Sequence, residues 1–551
     1  MTSGLLGTAI SGLRVARLNL DTVGHNIANA ATDGYSRQRV ISGTRAPQFS
    51  GAGYIGQGVD ARSINRSYDE FLDSQLRGST SAYSELDTFH SLATQIDNII
   101  ADPGIGISPS LQSFFNATQS VADDPTSIPA RQVLLEEGRN LVNRFTSLNG
   151  RLEDFRVQAN EQLSNTVNDV NLLSGSIAEL NKKIVVATQI AGGRPPNDLL
   201  DQRDLLVRQL AEKVNVTTLK QNDGALNVFI GNGQAVVLGA DSATLGTANS
   251  SLDPTKIEIT FNGDSSAVVI SDNVQGGELG GLLSFLRSTL PSTQNEIGRV
   301  AAGLAVEFNS QHQQGYDLTG NTNLDFFNLP SIDIYTEAGV SGQIATTYDV
   351  ANVDQLAASD YVLERTATDY VLTRTSDQSQ TVLSPSFPGT PATIDGLIIN
   401  ETTPLAVGDR FLIRPTQNAG DQIGVALTSP DQITASGSDT STGSVGDNTN
   451  ALALAALKTS RSLVNGTATF QDAIGQTVAK VGTETHAAEV NKTAQQGLLT
   501  QATQALESVS GVNLDEEAAD LLKYQQAYQA VAQVIAVTGT LFDTLISTFR
   551  N

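Results

Sequence analysis

The chain has 551 residues, no cysteine, and a formal net charge of −25 from 58 acidic and 33 basic side chains. Its length calls for roughly three or four domains, and its charge argues against nucleic acid or an anionic lipid surface as a partner. Without cysteine there are no disulfides, thiol nucleophiles or cysteine-ligated zinc.

The first 66 residues run against the acidic trend, since seven Arg less three Asp give +4, with no Lys or Glu. The opening "MTSGLLGTAISGLRVARLNL" is apolar, but it lacks a basic leader and is interrupted by Gly and Ser. It therefore does not read as a cleaved signal peptide. It reads as a helix: Leu6, Leu13, Leu20 and Ile27 fall seven apart, with Ala9, Ala16, Val23 and Ala30 three residues after each. Apolar residues alternating by three and four form a stripe that needs a partner helix. His25 falls on the polar face with Arg14 and Asp21, and "TDGY" after Ala31 is turn chemistry. This run of His, Asp, Tyr and Ser reads as a helix end, not an active site. "GAGYIG" at 51–56 has dinucleotide-loop glycines without the strand before or the helix after, and reads as a turn.

Helical period returns over 69–100, then from Leu141 through Phe145, Leu152, Ala159, Val170 and Ile177 to Ile184, a rod of about 65 Å. "NDLLDQRDLLVRQL" fits a helix over 197–213. Its Asp198, Asp201 and Asp204 raise a metal site, but Asp204 and Arg208 have i,i+4 spacing and Leu199, Leu206 and Leu210 mark the buried side. A solvated acidic face is the expectation there. Strand-like alternation occupies roughly 214–275, followed by a helix over 294–313 with Thr293 and Glu296 at capping-box spacing. "DLTGNTNLD" at 317–325 alternates oxygen side chains as calcium loops do, but its glycine is misplaced and it reads as a polar turn. A second β-rich block spans 330–430, and 435–449, "ASGSDTSTGSVGDNT", has the composition of a flexible linker.

Helical character resumes near 450, and the C-terminal segment repeats by seven at Leu514, Leu521, Tyr528, Ile535, Phe542 and Phe549, interleaved with Tyr524, Val531, Thr538 and Leu545. Residues 524–542 carry no charge over a membrane-length stretch, but their Gln and Thr favour packing against protein. Both terminal helices also carry apolar residues off the stripe, such as Val15 and Leu18, or Val534 and Val537. Such helices are expected among several neighbours. They meet only if the chain goes out and returns. Asp515, Glu516, Glu517 and Asp520 open the last helix, and Arg37 and Arg39 follow the first. Antiparallel packing brings these together as register-fixing ion pairs; the alternative is a solvated acidic first turn favoured by its own dipole. The four histidines lack HExxH spacing, and no GxSxG elbow or P-loop is present. No catalytic, cofactor or metal residue is assigned.

"LNLDTVGHNIANAATDGYSRQ", "YIGQGVDARSINRSYDEFLDSQLR" and "SGVNLDEEAADLLKYQQAYQAVAQVI" resemble the terminal signatures of flagellar axial proteins, which include rod, hook and hook-associated proteins. "NDLLDQRDLLVRQLAEKVNV", "GGELGGLLSFL" and "FNSQHQQGYDLTGN" resemble the hook-associated branch. The family usually has proline where Asp33 stands. With the periodicities, the resemblance implies an α+β multidomain chain. Antiparallel terminal helices form a coiled-coil-like packing domain (1–64 and 505–551), followed outward by a long helical-bundle rod (65–213, 276–329 and 450–504). Outer β-rich parts then occupy 214–275 and 330–449.

The resemblance further implies a non-enzymatic junction protein that polymerises on the distal end of the hook and connects it to the filament. Its implied place is extracellular, on the flagellum, after export by the flagellum-specific apparatus without a cleaved signal peptide. Implied partners are further copies of itself, the hook protein, a second junction protein, and an export chaperone on the C-terminal helix, with no membrane insertion. Subunit packing is expected from Leu6, Leu13, Leu20, Ile27, Leu521, Tyr528, Ile535, Phe542 and Leu545. No resemblance can be named for 330–450, which holds the β-rich block at 330–430. It leaves open an exported adhesin or carbohydrate-binding protein, or another axial protein of hook or distal rod.

Overall fold

The computed structural model describes the chain except residues 1, 50, 52, 103, 105, 263–266, 384–386 and 551, and the side chains at 2, 3, 545, 549 and 550. Helix α1 (Thr2–Ala28) leads into a long ribbon in which β1 (Gln38–Thr44) pairs antiparallel with β4 (Val59–Arg66). Between them lies a small hairpin of β2 (Gln48–Phe49) and β3 (Tyr54–Ile55), with Gly51 and Gly53 at positive φ.

The rod is built from α2 (Glu70–Ala101), α3 (Ile107–Asp123), α4 (Ile128–Ile190) and α5 (Asn197–Lys213). Asp69 caps α2 by accepting from the amides of Phe71 and Leu72. The central helix α4 is longer than its apolar period alone indicates. It has 63 residues, about 95 Å, because Ser127 caps it ahead of Pro129 and it runs on to the positive-φ pair Gly192–Gly193. Helices α6 (Gly277–Arg287) and α7 (Thr289–His312) complete this body. Here the capping-box expectation fails: α7 begins at Thr289, so Thr293 lies inside it, buried, with its hydroxyl on the Thr289 carbonyl.

The first β-rich part, Val216–Val269, folds as a four-stranded and a three-stranded antiparallel sheet, and its apolar residues join the rod's own core. The second, spanning strands from Asp333–Thr336 to Arg410–Arg414, has a five-stranded sheet and a three-stranded sheet around its own core of Tyr361, Leu363, Leu372, Ile399, Phe411 and Ile413. Arg414 ties the two together: its Nε is 3.1 Å from Asp360, and its other nitrogens reach Asp253 and Thr255.

After α8 (Ala419–Gln422) the chain returns to the rod, placing Ile423, Leu427, Ile433 and Ala435 in its core. Residues 435–449 are therefore not the flexible linker that their composition suggests. Ser436 pairs with Tyr316, Thr440 donates to the Asp317 carbonyl, Asp447 accepts from Thr449, and Asn448 reaches the Ala122 carbonyl. Small hydroxyl and amide side chains satisfy one another in tight turns, which composition alone does not distinguish from disorder. Helices α9 (Thr449–Ala456) and α10 (Phe470–Ser510) follow; α10 packs along α2, and α11 (Leu514–Arg550) returns beside α1.

Candidate self-assembly interface

The two chain ends form one antiparallel pair. Asn26, near the end of α1, donates to Glu517 at the start of α11 (2.9 Å), while Gly12 lies against Val531 farther along. The seam buries Ala9, Ala16 and Val23 of α1 and Thr538 of α11, with Tyr524 and Val531 half-buried. Small side chains on α1 bring the helices close, and the larger ones point away. Leu6 and Ile27 are each 37% exposed, and Leu13 and Leu20 are half-buried. On α11, Tyr528 and Phe542 are exposed, Leu521 and Ile535 are half-buried, and the Leu545 side chain lies outside the described residues. The rows expected to pack subunits are thus not the intrachain seam. They flank it, together with exposed Leu5, Ile10, Leu522, Val534, Val537 and Leu541.

A charged hub closes the seam. Arg37 is 6% exposed and donates to Glu517 (2.5 Å) and Glu516 (2.7 Å), with Asp520 at 3.8 Å. Glu517 is 1% exposed. Burial disfavours the charge on Arg37, but Glu517 and Glu516 outweigh it, and its pKa is raised. Arg39, the other arginine expected here, is exposed and makes no ion pair among the described residues. Asp515 is also exposed; its amide bonds Asn513, so it belongs to the helix cap.

Sequence reasoning missed the neutral centre of the hub. The Asn26 side chain accepts from the Gln38 amide (2.9 Å) and the Tyr35 hydroxyl (2.8 Å), and donates to the Gln38 carbonyl. Burial, then Asp198, Asp201 and Glu517, hold the Tyr35 hydroxyl well above its ordinary pKa, so it stays a donor. The available signal was positional: Asn26 continues the Ala9–Ala16–Val23 stripe by three residues, a polar side chain on a buried face.

The acidic face of α5 corrects a second expectation. Asp201 and Asp204 are each 5% exposed and bond Arg66 at 2.7 and 2.6 Å, and Asp201 also accepts from the Ser36 amide. They are neither solvated nor a metal set, because a basic partner from the β1–β4 ribbon occupies them. Arg208 bonds the Asp204 backbone carbonyl, not its carboxylate. Burial raises the pKa of Asp201 despite Arg66 and Ser36. Asp198 reaches Gln38 (2.7 Å) and lies 3.4 Å from the exposed His25. Gly34, at φ +78°, turns the chain into this hub beside Leu205. Among the described residues no group of three or more His, Asp or Glu is placed to hold a metal ion. Asp317 is held by the amides and side chains of Thr319 and Asn321, as a polar turn.

Helices paired at the two ends of one chain, with the middle projecting as a rod and β-rich parts, define the class of flagellar axial proteins. Residues 502–548 match the family described as flagellar basal body rod FlgEFG protein C-terminal. Residues 93–327 match the flagellar hook-associated protein FlgK helical domain, and 335–415 the D2-like domain of flagellar hook-associated protein 1, which corrects the expectation that the block at 330–450 has no match. Flagellar hook-associated protein 1 of Salmonella typhimurium is 35% identical over 99% of this chain and 100% of its own length; that of Escherichia coli is 31% identical over the same shares. The chain belongs to the flagellar hook-associated protein 1 family. Its fold is that of the flagellar hook junction protein FlgK from Burkholderia pseudomallei, with a TM-score of 0.72 at 24% identity, covering 79% of this chain and 100% of that one.

Proposed function

We propose that this chain is a structural adaptor of the bacterial flagellum, polymerising on the distal end of the hook and connecting it to the filament. The observation that carries this is the α1–α11 pair, which buries a narrow small-residue seam and leaves rows of large apolar side chains exposed on both helices. Exposed apolar rows on paired helices call for further helices. A head-to-tail, non-closing contact supplies them from copies of the same chain and presents different faces to the layers below and above. Leu6, Leu13, Leu20, Ile27, Leu521, Tyr528, Ile535 and Phe542 are the packing residues, and the Arg37 hub fixes register. The layer below is the hook protein and the layer above a second junction protein. An export chaperone covers α11 before assembly, and the chain leaves the cell through the flagellum-specific apparatus. No catalytic step is assigned to it.

By length and composition the helical stretch within 470–548 also passes as a membrane span, and it is little buried. Gln525, Gln529, Gln533, Thr538 and Thr540 along it favour protein neighbours over lipid. Cosedimentation with purified hooks tests the proposal. Ile535→Asp puts a charge into the packed row and is expected to abolish binding. Undiminished binding, or flotation of the native chain with liposomes, would sink it.

A further inference from the structure

A cleft of about 490 Å³ lies beside the hub, between the α4–α5 turn, the end of β4, the start of α2 and the first β-rich part. In a chain of net charge −25 its lining is basic: Arg66, Arg77, Arg194, Arg203 and Lys220 against Glu70 and Asp204. Arg66 and Arg203 are spent on Asp201 and Asp204. The others are not all spent. Arg194 and Lys220 are exposed and make no ion pair among the described residues. Arg77 is 7% exposed; its terminal nitrogens bond Asp73 and Thr218, and its buried Nε–H has no acceptor. Arg45, Arg299 and Arg410 share such a buried Nε–H, so at Arg77 it adds donor capacity and the exposed, unpaired Arg194 and Lys220 mark the cleft.

We propose that this cleft receives a carboxylate side chain from a second copy of this chain, an inference that rests on the self-assembly reading above. Charge complementarity selects that occupant. The chain's surface carries a large excess of carboxylates, so a neighbouring copy presents them at almost any approach, while a basic cleft is exceptional on it. Guanidinium forks match planar carboxylates in two-bond geometry, and Lys220 adds a point charge at the rim. Such a contact adds a directional polar bond between copies beside the apolar rows of α1 and α11.

Zero-length carbodiimide coupling joins lysine amines to carboxylates in direct contact, and Lys220 is the lysine of the cleft. Chains of two isotopic labels would be mixed, assembled on purified hooks, coupled, and read by mass spectrometry, with exposed Lys182 as the reactive control. The expected result is Lys220 joined to Asp or Glu of the other isotope. The double variant Arg194→Glu, Lys220→Glu, at two exposed positions, should also bind hooks at least tenfold more weakly, with Lys182→Glu unchanged. Coupling of Lys220 only within one chain, only to hook-protein peptides, or not at all while Lys182 reacts, overturns the proposal and leaves the adaptor reading standing. Failure of the native chain to bind hooks removes both.

Discussion

Glu517→Gln isolates the charge at the centre of the terminal hub. The side chain is 1% exposed and accepts from Arg37 (2.5 Å) and Asn26 (2.9 Å). Glutamine keeps the shape and one acceptor for Asn26 but removes the charge. Arg37 is then left with Glu516, whose side chain is 60% exposed, and with Asp520 at 3.8 Å. A hydrogen bond to a charged group is worth about 1.5–3 kcal/mol, so a loss of about 2–3 kcal/mol in local stability is expected. Arg37→Ala is harsher, because it leaves Glu517 buried and facing only Asn26; breaking a buried pair in this way costs about 3–5 kcal/mol.

The assay is amide exchange, since the chain has several bodies and a global melt blends them. At about 1.4 kcal/mol per tenfold, Glu517→Gln should speed exchange at 20–40 and 513–524 by roughly 30- to 140-fold. Amides of the rod core around Leu152 should be unmoved, and Arg39→Glu should change the hub by less than about threefold, at the scale of exposed charges. A cycle of Arg37→Met and Glu517→Met, alone and together, apportions the pair, and the double should recover most of the loss because neither charge is then buried alone. Unchanged exchange in the single variants, or additive losses in the double, would refute the assignment of register to this pair.

Three further outcomes follow from other parts of the molecule. Arg414→Ala strands Asp253 and Asp360 between the β-rich parts and should cost about 3–5 kcal/mol, seen as early melting of 333–414 by pulse exchange; melting at the native temperature would count against it. His312 is fully buried with Nδ1–H on the Leu324 carbonyl and Nε2 accepting from the Thr434 amide, and burial pushes its pKa down to about 4. Between pH 6.5 and 4 the unfolded chain therefore binds the extra proton, and stability should fall as pH falls, by about 3 kcal/mol in total; His312→Gln should flatten that slope in urea titrations, and an unchanged slope would clear the residue. Gly34→Ala forces an L side chain to φ +78° with its Cβ 3.0 Å from Leu205, costing about 1–3 kcal/mol and loosening exchange at 32–38, an effect Gly24→Ala on the open face of α1 should not share.

What the sequence made legible follows the range of the interaction. The helices at both ends, the long rod and the 197–213 helix announce themselves because period 3.6 is written within one element. Which face is the seam was not legible: on α1 the Leu6–Ile27 row and the Ala9–Val23 row obey the same spacing, and only the approach of the partner selects the smaller one. The acidic face of α5 was misread for a related reason. Its counter-ion, Arg66, lies 135 residues away from Asp201, and no local pattern carries that pairing. The turn-rich run at 435–449 failed differently, since its hydroxyls and carboxylates are the same in number and kind whether they bond one another or water.

The hub also explains why the ends of this chain are not tethered to the rod by a loose tail. The segment after α1 is held from three sides at once. Glu516 and Glu517 take Arg37, Asp201 takes both the Ser36 amide and Arg66, and the Arg37 amide bonds the Ser510 carbonyl where α10 gives way to α11. Asn197, at the start of α5, bonds Gln38 and the Ile64 carbonyl of β4. Apolar packing is non-directional and tolerates a slide along the stripe, whereas these bonds are satisfied in one orientation only. The division of labour is therefore physical. On the proposed reading the apolar rows of α1 and α11 supply adhesion without fixing direction, while the charged hub holds the helix pair against the rod. A subunit that joins two different helical layers needs both, since adhesion to either layer transmits orientation to the other only if the piece between them is stiff.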